Sequence, residues 1–599
     1  MMQHTERKEL DRKEPYRPFR YGTYLREVTL ANGHSRRMGV YIPDDIRPST
    51  AGIFLLPPSG VSIEQFLEKS SWKELADTEE TKERFVIFVL ESSQKGWNTQ
   101  EAYGDPDGDV AYILAACRSG NRRDLVCVHE SKFYIVGYEA GGTLAEMAAI
   151  FDPAAYAGLV SVDAPAVAGE YLIKAKSAYA DNLMGYQDTA HTHGIRKVDI
   201  PMPFWMISEE DRSDSAEARY FREACGTEEI YTLRDPETKV FVRKKETAYP
   251  LNQEKEAYRV WISQMERGSR DFGRRINRQI WKDFLYPVRR WMGDPGGDLR
   301  MTRDPVRDLG MEYHYEMVDG YRREWYLFVP KKVREAPEKD VPLVFACHGY
   351  SCSGETYMGN SGWHDIAEKY GFLCIFPTAI PHTVGVEREE AGVSADNIPL
   401  PAWNNLGEQT DRPYENNFFE YMLDQTSAVY AVDKSRIYVT GHSNGSMMTS
   451  WLGLTRPELF AAIAPCSGII HMIGADSCLK EPEVYQRVKT DLPVWMFGGQ
   501  KEEWLLDGCP EAGNRTDQTI HTWWEMNQMP DEPPRDYGTG TVVRGRWHDW
   551  NYEKNGMPMV RFSGVEYFPH ATMPEMSWRI WEEFFSHFAR IEGEIRYIP

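Results

Sequence analysis

The stretch from Ser435 to Trp451 reads Ser-Arg-Ile-Tyr-Val-Thr-Gly-His-Ser-Asn-Gly-Ser-Met-Met-Thr-Ser-Trp and constrains the fold more than any other. Its apolar run Ile437-Tyr-Val-Thr440 predicts a buried strand, and the residues after Gly445 fall at helical spacing. Between them lies Gly441-His442-Ser443-Asn444-Gly445, a G-x-S-x-G turn from strand to helix. A turn this sharp crowds its flanking positions, and glycines there avoid clashes that a Cβ would cause. Ser443 is thereby presented at the top of a sheet, where a nucleophile is used.

A neutral hydroxyl is a poor nucleophile, so Ser443 needs a base. In an α/β-hydrolase the chain order is nucleophile, acid, histidine. The segment Val560-Arg-Phe-Ser-Gly-Val-Glu-Tyr-Phe-Pro-His570 offers a strand followed by His570 as that base. The acid is expected after the apolar run 494–497, where Gly498-Gly-Gln-Lys-Glu502-Glu503-Trp504 follows. Glu502 is the preferred residue to orient the imidazole; Glu503 and Asp507 are alternatives, and either glutamate also fits a solvated loop charge. An oxyanion hole needs two backbone N–H groups, for which Asn444 and Tyr350 are the candidates. His348, two residues before Tyr350, reads as structural. Trp403 and Asn404 suit either a pocket lining or a packed loop. The aromatic segments 522–528 and 547–550 suit either an acyl-site wall or core.

The chain has 599 residues, too many for one core, with 42% hydrophobic and 13% aromatic residues to fill several. A formal charge of −22 argues against a nucleic-acid partner, which needs a basic face. No run reaches the length of a membrane span. The charged N-terminus lacks an apolar h-region, so a soluble, cytoplasmic protein is expected. The nine cysteines are irregularly spaced without a C-x-x-C or H-x-x-x-H pair, so no zinc or other metal site is expected. A Cys478–Cys509 bridge is conceivable for an exported chain; reduced thiols are the preferred reading.

A repeat of very long period runs through the sequence. Lys132-Phe-Tyr-Ile-Val-Gly-Tyr-Glu-Ala-Gly141 matches Arg436-Ile-Tyr-Val-Thr-Gly-His-Ser-Asn-Gly445 at an offset of 304. Trp97-Asn98 matches Trp403-Asn404, Pro203-Phe-Trp205 matches Pro493-Val-Trp495, and Ile280-Trp281 with Phe284 matches Ile580-Trp581 with Phe584. The order is the same in both halves. The sequence therefore predicts tandem α/β-hydrolase folds, each a mostly parallel sheet covered by helices. The expected divisions are a degenerate, non-catalytic unit over 1–292, a glycine- and proline-rich linker over 293–310, and a catalytic unit over 311–599. In the first unit Glu139 stands at the nucleophile position, and the offset of 300 from the closing segments sets Arg270 opposite His570. The closing helix is expected from Pro574, with Trp581, Phe584, Phe585 and Phe588 on one face.

The second half resembles the polyhydroxybutyrate-depolymerase-like esterases, a group that includes feruloyl esterases. The resemblance rests on His348-Gly349, Trp403-Asn404, Val432-Asp433, the 436–445 motif, Pro457-Glu-Leu-Phe-Ala-Ala462 and Phe568-Pro-His570, and spans most of 311–591. It implies a serine carboxylic-ester hydrolase acting through an acyl-enzyme on a small ester, without a cofactor. A peptidase or acyltransferase with the same triad, and a non-catalytic binding protein, are the competing readings. One departure is Gly499-Gln-Lys-Glu502 where the family often has Gly-x-x-Asp. The missing secretory signal is another, and it favours small soluble esters over extracellular polymer.

Overall fold

The computed structural model describes residues 4–6, 20–47, 49–78, 83–120, 123–183, 186–243, 254–269, 272–290, 298–336, 338, 340–382, 398–404, 413–468, 490–502, 507–538 and 541–598. The chain divides into two compact units, the first running to Arg303 and the second from Asp304. Leu299–Met301, within the expected linker, pairs antiparallel with Val288–Arg290 of the first unit. Met292, Cys478, Glu503 and Arg270 lie outside the described residues.

The second unit is built on a sheet of ten strands. In spatial order they are Glu312–Val318, Tyr321–Phe328, Leu373–Thr378, Val341–Cys347, Val432–His442, Ala462–Cys466, Val494–Gly499, Met557–Val565, Trp547–Lys554 and Val542–Arg544. The six from Leu373–Thr378 to Met557–Val565 run parallel. The two strands at each margin are antiparallel. The sheet of the first unit repeats this order and these directions. It runs Arg20–Thr29, Ser35–Ile42, Phe85–Leu90, Thr50–Leu56, Val128–Tyr138, Gly158–Val162, Phe204–Ser208, Arg259–Gln264, Thr238–Val242 and Thr232–Asp235, with His4–Glu6 added at its edge.

Parallel strands need crossovers, and the helices that supply them cover the faces of the sheet. Burial on both faces explains the unbroken apolar runs. In Thr50–Leu56, Phe54 and Leu56 enter one core while Ile53 and Leu55 enter another, the period of two that a pleated strand imposes. The apolar runs found in the second half all fall within or against these buried strands. Of the antiparallel margins, the sequence marks the end of Tyr321–Phe328 by its run 327–329 but not the outer strands. Glu312–Val318 alternates half-buried and exposed residues, and Val542–Arg544 is exposed throughout.

One expectation is corrected. The closing helix stops at Glu583, and Phe584 leaves helical geometry at φ −144°. Phe588 instead begins a strand, Phe588–Ile591, that pairs with Glu594–Tyr597. The four aromatics are all buried, but on a helix, a tight turn and a strand rather than along one helical face. Of the aromatic segments 522–528 and 547–550, whose sequence suits either an acyl-site wall or core, Trp523, Trp524 and Trp550 pack in the core. Trp523 and Trp524 sit on the helix Arg515–Met526 and Trp550 on a strand, all within one hydrophobic cluster. Two of the indole N–H groups have inward uses: Trp524 donates to the Asp531 carbonyl and Trp550 to the Tyr537 carbonyl, both at 2.8 Å.

Candidate active site

Val432–His442 ends at the C-terminal edge of the sheet, and the helix Asn444–Thr455 starts one residue later. Ser443 bridges them at φ 57° and ψ −119°, a left-handed backbone that L-residues avoid. The turn closes tightly. A Cβ on Gly445 would lie 2.3 Å from the Cys347 carbonyl oxygen and 2.5 Å from that of His348. Helix geometry leaves the first N–H groups, Asn444 among them, without intrahelical partners and pointing outward beside Ser443.

The loop after Val341–Cys347 lies against this elbow. A Cβ on Gly349 would sit 3.3 Å from the Ser443 Cβ. His348 holds the loop from inside. Its Nε2 accepts from the Ala379 N–H at 2.9 Å, so its Nδ1 carries the proton and donates to the Gly349 carbonyl at 2.6 Å. Burial pushes this imidazole down to about 4, so it is neutral over the working range and structural, as the sequence suggests. Ser351, one residue past Tyr350, takes φ 65° and donates its N–H to the Pro401 carbonyl at 2.8 Å.

Trp403 and Asn404 are only 1% and 2% exposed and pack within the loop. The Trp403 N–H donates to the Asn444 side-chain oxygen at 2.6 Å, and its indole donates to the His348 carbonyl at 2.8 Å. Asn404 donates from its amide side chain to the Pro413 carbonyl at 2.9 Å and from its backbone to Glu415 at 3.3 Å. Glu415 in turn pairs with Arg323 at 2.7 Å with both side chains buried. The Arg323 guanidinium lies 3.8 Å over Phe418. These residues clamp Asn444, the first residue of the helix that follows Ser443.

His570 and Glu502, 68 residues apart, meet directly: His570 Nδ1 lies 3.0 Å from Glu502 Oε2. Glu502 has no exposed side-chain surface, while His570 keeps 23%. The loop carrying Glu502 is fixed against the one carrying His570. The Lys501 N–H donates to the Phe568 carbonyl at 2.9 Å, and a Cβ on Gly499 would lie 2.2 Å from that same oxygen. Asp507 is engaged elsewhere. Its carboxylate accepts from the Arg515 N–H at 3.0 Å, at the start of the helix Arg515–Met526, and so is not the imidazole's partner. The His442 ring, adjacent in sequence to Ser443, packs 4.7 Å from the His570 ring at 41°. Elbow and imidazole thus share one corner of the sheet.

Two contributors went unseen in the sequence. His442 fills the variable position of the G-x-S-x-G motif, which carries no signal of its own. Ser467 donates its hydroxyl to Glu502 Oε1 at 2.5 Å. It follows the end of Ala462–Cys466, and the carboxyl ends of parallel strands are where site residues collect in α/β sheets, a signal that could have marked it.

Residues 415–491 match the Peptidase_S9 family, the prolyl oligopeptidase family. Acetylxylan esterase A of Aspergillus awamori is 30% identical over 147 residues, covering 24% of this chain and 41% of that protein. Poly(3-hydroxyalkanoate) depolymerase C of Paucimonas lemoignei is 24% identical over 263 residues, 40% of this chain and 58% of that protein. Feruloyl esterase B of Neurospora crassa is 28% identical over 162 residues, 26% of this chain and 48% of that protein. The chain thus spans between 41% and 58% of the length of these curated relatives. It is related to the α/β-hydrolase esterases, as its own motifs imply. Among the described residues, no helix is long and apolar enough to cross a membrane.

Proposed function

We propose that the chain is a serine carboxylic-ester hydrolase whose second unit is catalytic and whose first unit is a degenerate duplicate without acyl-transfer chemistry. The observation that carries this is the His570–Glu502 contact at 3.0 Å, beside an elbow that holds Ser443 at φ 57°. Glu502 fixes the imidazole so that its other nitrogen serves as base. Ser443 Oγ attacks the ester carbonyl carbon and His570 takes the hydroxyl proton. The oxyanion is met by the N–H groups of Asn444 and Tyr350, and its collapse expels the alcohol, to which His570 returns the proton. Water, deprotonated by His570, then attacks the acyl-enzyme and frees the acid and Ser443. The named activities of the relatives, on acetylxylan, feruloyl and poly(3-hydroxyalkanoate) esters, support an ester substrate, with small acetyl or hydroxycinnamoyl esters the first to try.

Peptide hydrolysis is the second reading, favoured by the prolyl oligopeptidase match. That match ends at residue 491, before Glu502 and His570, so it covers the elbow and its helix but not the whole triad. The deciding experiment presents purified full-length protein with aryl esters, acetyl and feruloyl esters and the matching anilides. A fluorophosphonate probe and mass mapping run in parallel. Ester turnover without amide cleavage, and a single adduct on Ser443, are expected. Absence of both turnover and adduct overturns the proposal, and faster anilide cleavage favours the peptidase.

A further inference from the structure

The turn Cys466-Ser467-Gly468 ties the nucleophile to the acid. On one side it holds the elbow. The Ser443 N–H donates to the Cys466 carbonyl at 2.9 Å, and the Ser446 hydroxyl donates to the Gly468 carbonyl at 3.3 Å. A Cβ on Gly468 would lie 2.7 Å from the Ser443 carbonyl oxygen, so the turn touches the nucleophile's own backbone. On the other side it holds the acid. The Ser467 N–H donates to the Phe497 carbonyl at 2.8 Å, and its hydroxyl donates to Glu502 Oε1 at 2.5 Å. Ser467 is fully buried and sits at φ 57°, a left-handed conformation kept by a residue with a Cβ.

A glutamate has one more torsion than an aspartate and needs more anchoring to present one oxygen to an imidazole. Here Glu502 Oε1 accepts both the Ser467 hydroxyl and the Gly499 N–H, the latter at 3.0 Å. With that oxygen occupied twice, Oε2 is the one turned to His570. We infer that Ser467 is a positioning residue for the triad, setting the rotamer of Glu502 and, through the same turn, the register between Glu502 and Ser443. Ser467 touches no reacting atom and acts only through the carboxylate. This rests on the reading of the site as a serine ester hydrolase.

The test is a double-mutant cycle in the full chain, read on an aryl ester. Ser467→Ala keeps the backbone and deletes the donor to a charged group. Its kcat falls about ten- to a hundredfold with KM unchanged. In a Glu502→Gln background the same substitution adds no further loss, because the group it serves is already disabled. Ser467→Gly eases the left-handed backbone yet loses as much kcat as Ser467→Ala, and Ser467→Cys, a weaker donor of similar size, falls between. Equal cost in both backgrounds, or full activity in Ser467→Gly, overturns the role. Should Ser467→Ala fold poorly, the glycine and cysteine variants carry the comparison. A wild type without turnover or fluorophosphonate adduct fails the esterase reading itself. An active wild type with an indifferent Ser467→Ala fails only this inference.

Discussion

The two elbows of this chain have nearly the same backbone and different side chains at their centre. Ser443 sits at φ 57°, ψ −119° and Glu139 at φ 50°, ψ −126°. Each donates its N–H to the end of the next strand, Ser443 to Cys466 at 2.9 Å and Glu139 to Val162 at 2.8 Å. The likeness extends inward. Trp403 donates to the His348 carbonyl and Trp97 to that of Pro57. Trp495 donates to Ser563 and Trp205 to Ser263. Tyr438 reaches the Phe588 carbonyl and Tyr134 that of Val288. The differences gather at the positions proposed to do chemistry. Glu139 stands for Ser443, Asp163 for Ser467 at the same left-handed φ, and Pro57-Pro58 for His348-Gly349. The bonds that hold the sheet together do not depend on the residues that would react on it, so one scaffold accommodates either set.

The largest effect comes from making the second elbow like the first. Ser443→Glu is compatible with the backbone, since Glu139 adopts it, but it leaves no hydroxyl to acylate. We expect kcat on an aryl ester to fall by at least about 10⁴-fold, as for other lost triad nucleophiles, with the thermal midpoint little changed. Turnover near wild type would place the active site elsewhere.

A buried ion pair gives the next contrast. Arg323 and Glu415 are 1% and 0% exposed, whereas their counterparts Arg36 and Asp109 are 18% and 8% exposed. Arg36 also donates to the Glu91 carbonyl at 2.7 Å, so it keeps a partner if Asp109 is neutralised. Glu415→Gln leaves a dry guanidinium uncompensated and should cost about 3–5 kcal/mol in urea unfolding. Asp109→Asn should cost less, roughly 1–3 kcal/mol, the scale of one hydrogen bond to a charged group. Equal costs would mean that the difference in burial does not set the energetics.

The parts of this molecule legible in its sequence are those with a strong local signature. Fully buried parallel strands announce themselves as apolar runs such as Ile437-Tyr-Val-Thr440, and the elbow by its glycines. His570 was readable from its place after the last parallel strand. The margin strands Glu312–Val318 and Trp547–Lys554 were not, because they carry charged residues on half-exposed faces. The closing aromatics misled because four large apolar residues at helical spacing also suit a helix that breaks at Phe584. Trp403 left two readings open, and its hydrogen bonds to Asn444 and His348 are those of a packed loop. Ser467 carries only the weak signal of its place after a parallel strand, because its meaning lies in a contact 35 residues away along the chain.

A buried acid distinguishes the helices behind the two elbows and gives a smaller effect with a definite pH sign. Glu146 lies in the first unit where the offset of 304 puts Ser450 in the second. It is fully buried, and burial pushes its carboxyl up to about 8, from 4.5 in the unfolded chain, with the Glu217 charge adding to the rise. Between those two values the folded form binds more protons than the unfolded one. Stability is therefore full below 4.5 and declines as pH rises toward 8. Glu146→Gln removes this slope. Near pH 8 it should gain roughly 2–4 kcal/mol over wild type, and near pH 4 the two should converge. A variant whose advantage is the same at both pH values would show that Glu146 does not titrate on unfolding.

The smallest effect asks whether the strain in the first elbow still serves anything. A left-handed backbone costs an L-residue roughly 1–2 kcal/mol, and glycine escapes that cost. Ser443→Gly should therefore stabilise the second unit by about 1 kcal/mol, after the entropy that glycine adds to the unfolded chain is set against it, while ending turnover. That exchange of stability for chemistry is what a working nucleophile position shows. Glu139→Gly should bring a similar gain, read as a rise in thermal midpoint. Its kcat should stay within about twofold of wild type, as for exposed residues remote from any site. Glu139 is exposed at its turn, so neither packing nor burial opposes the change. A loss of kcat or a rise in KM in Glu139→Gly would mean that the first unit's carboxylate takes part in handling substrate, and the reading of that unit as a retained scaffold would fall.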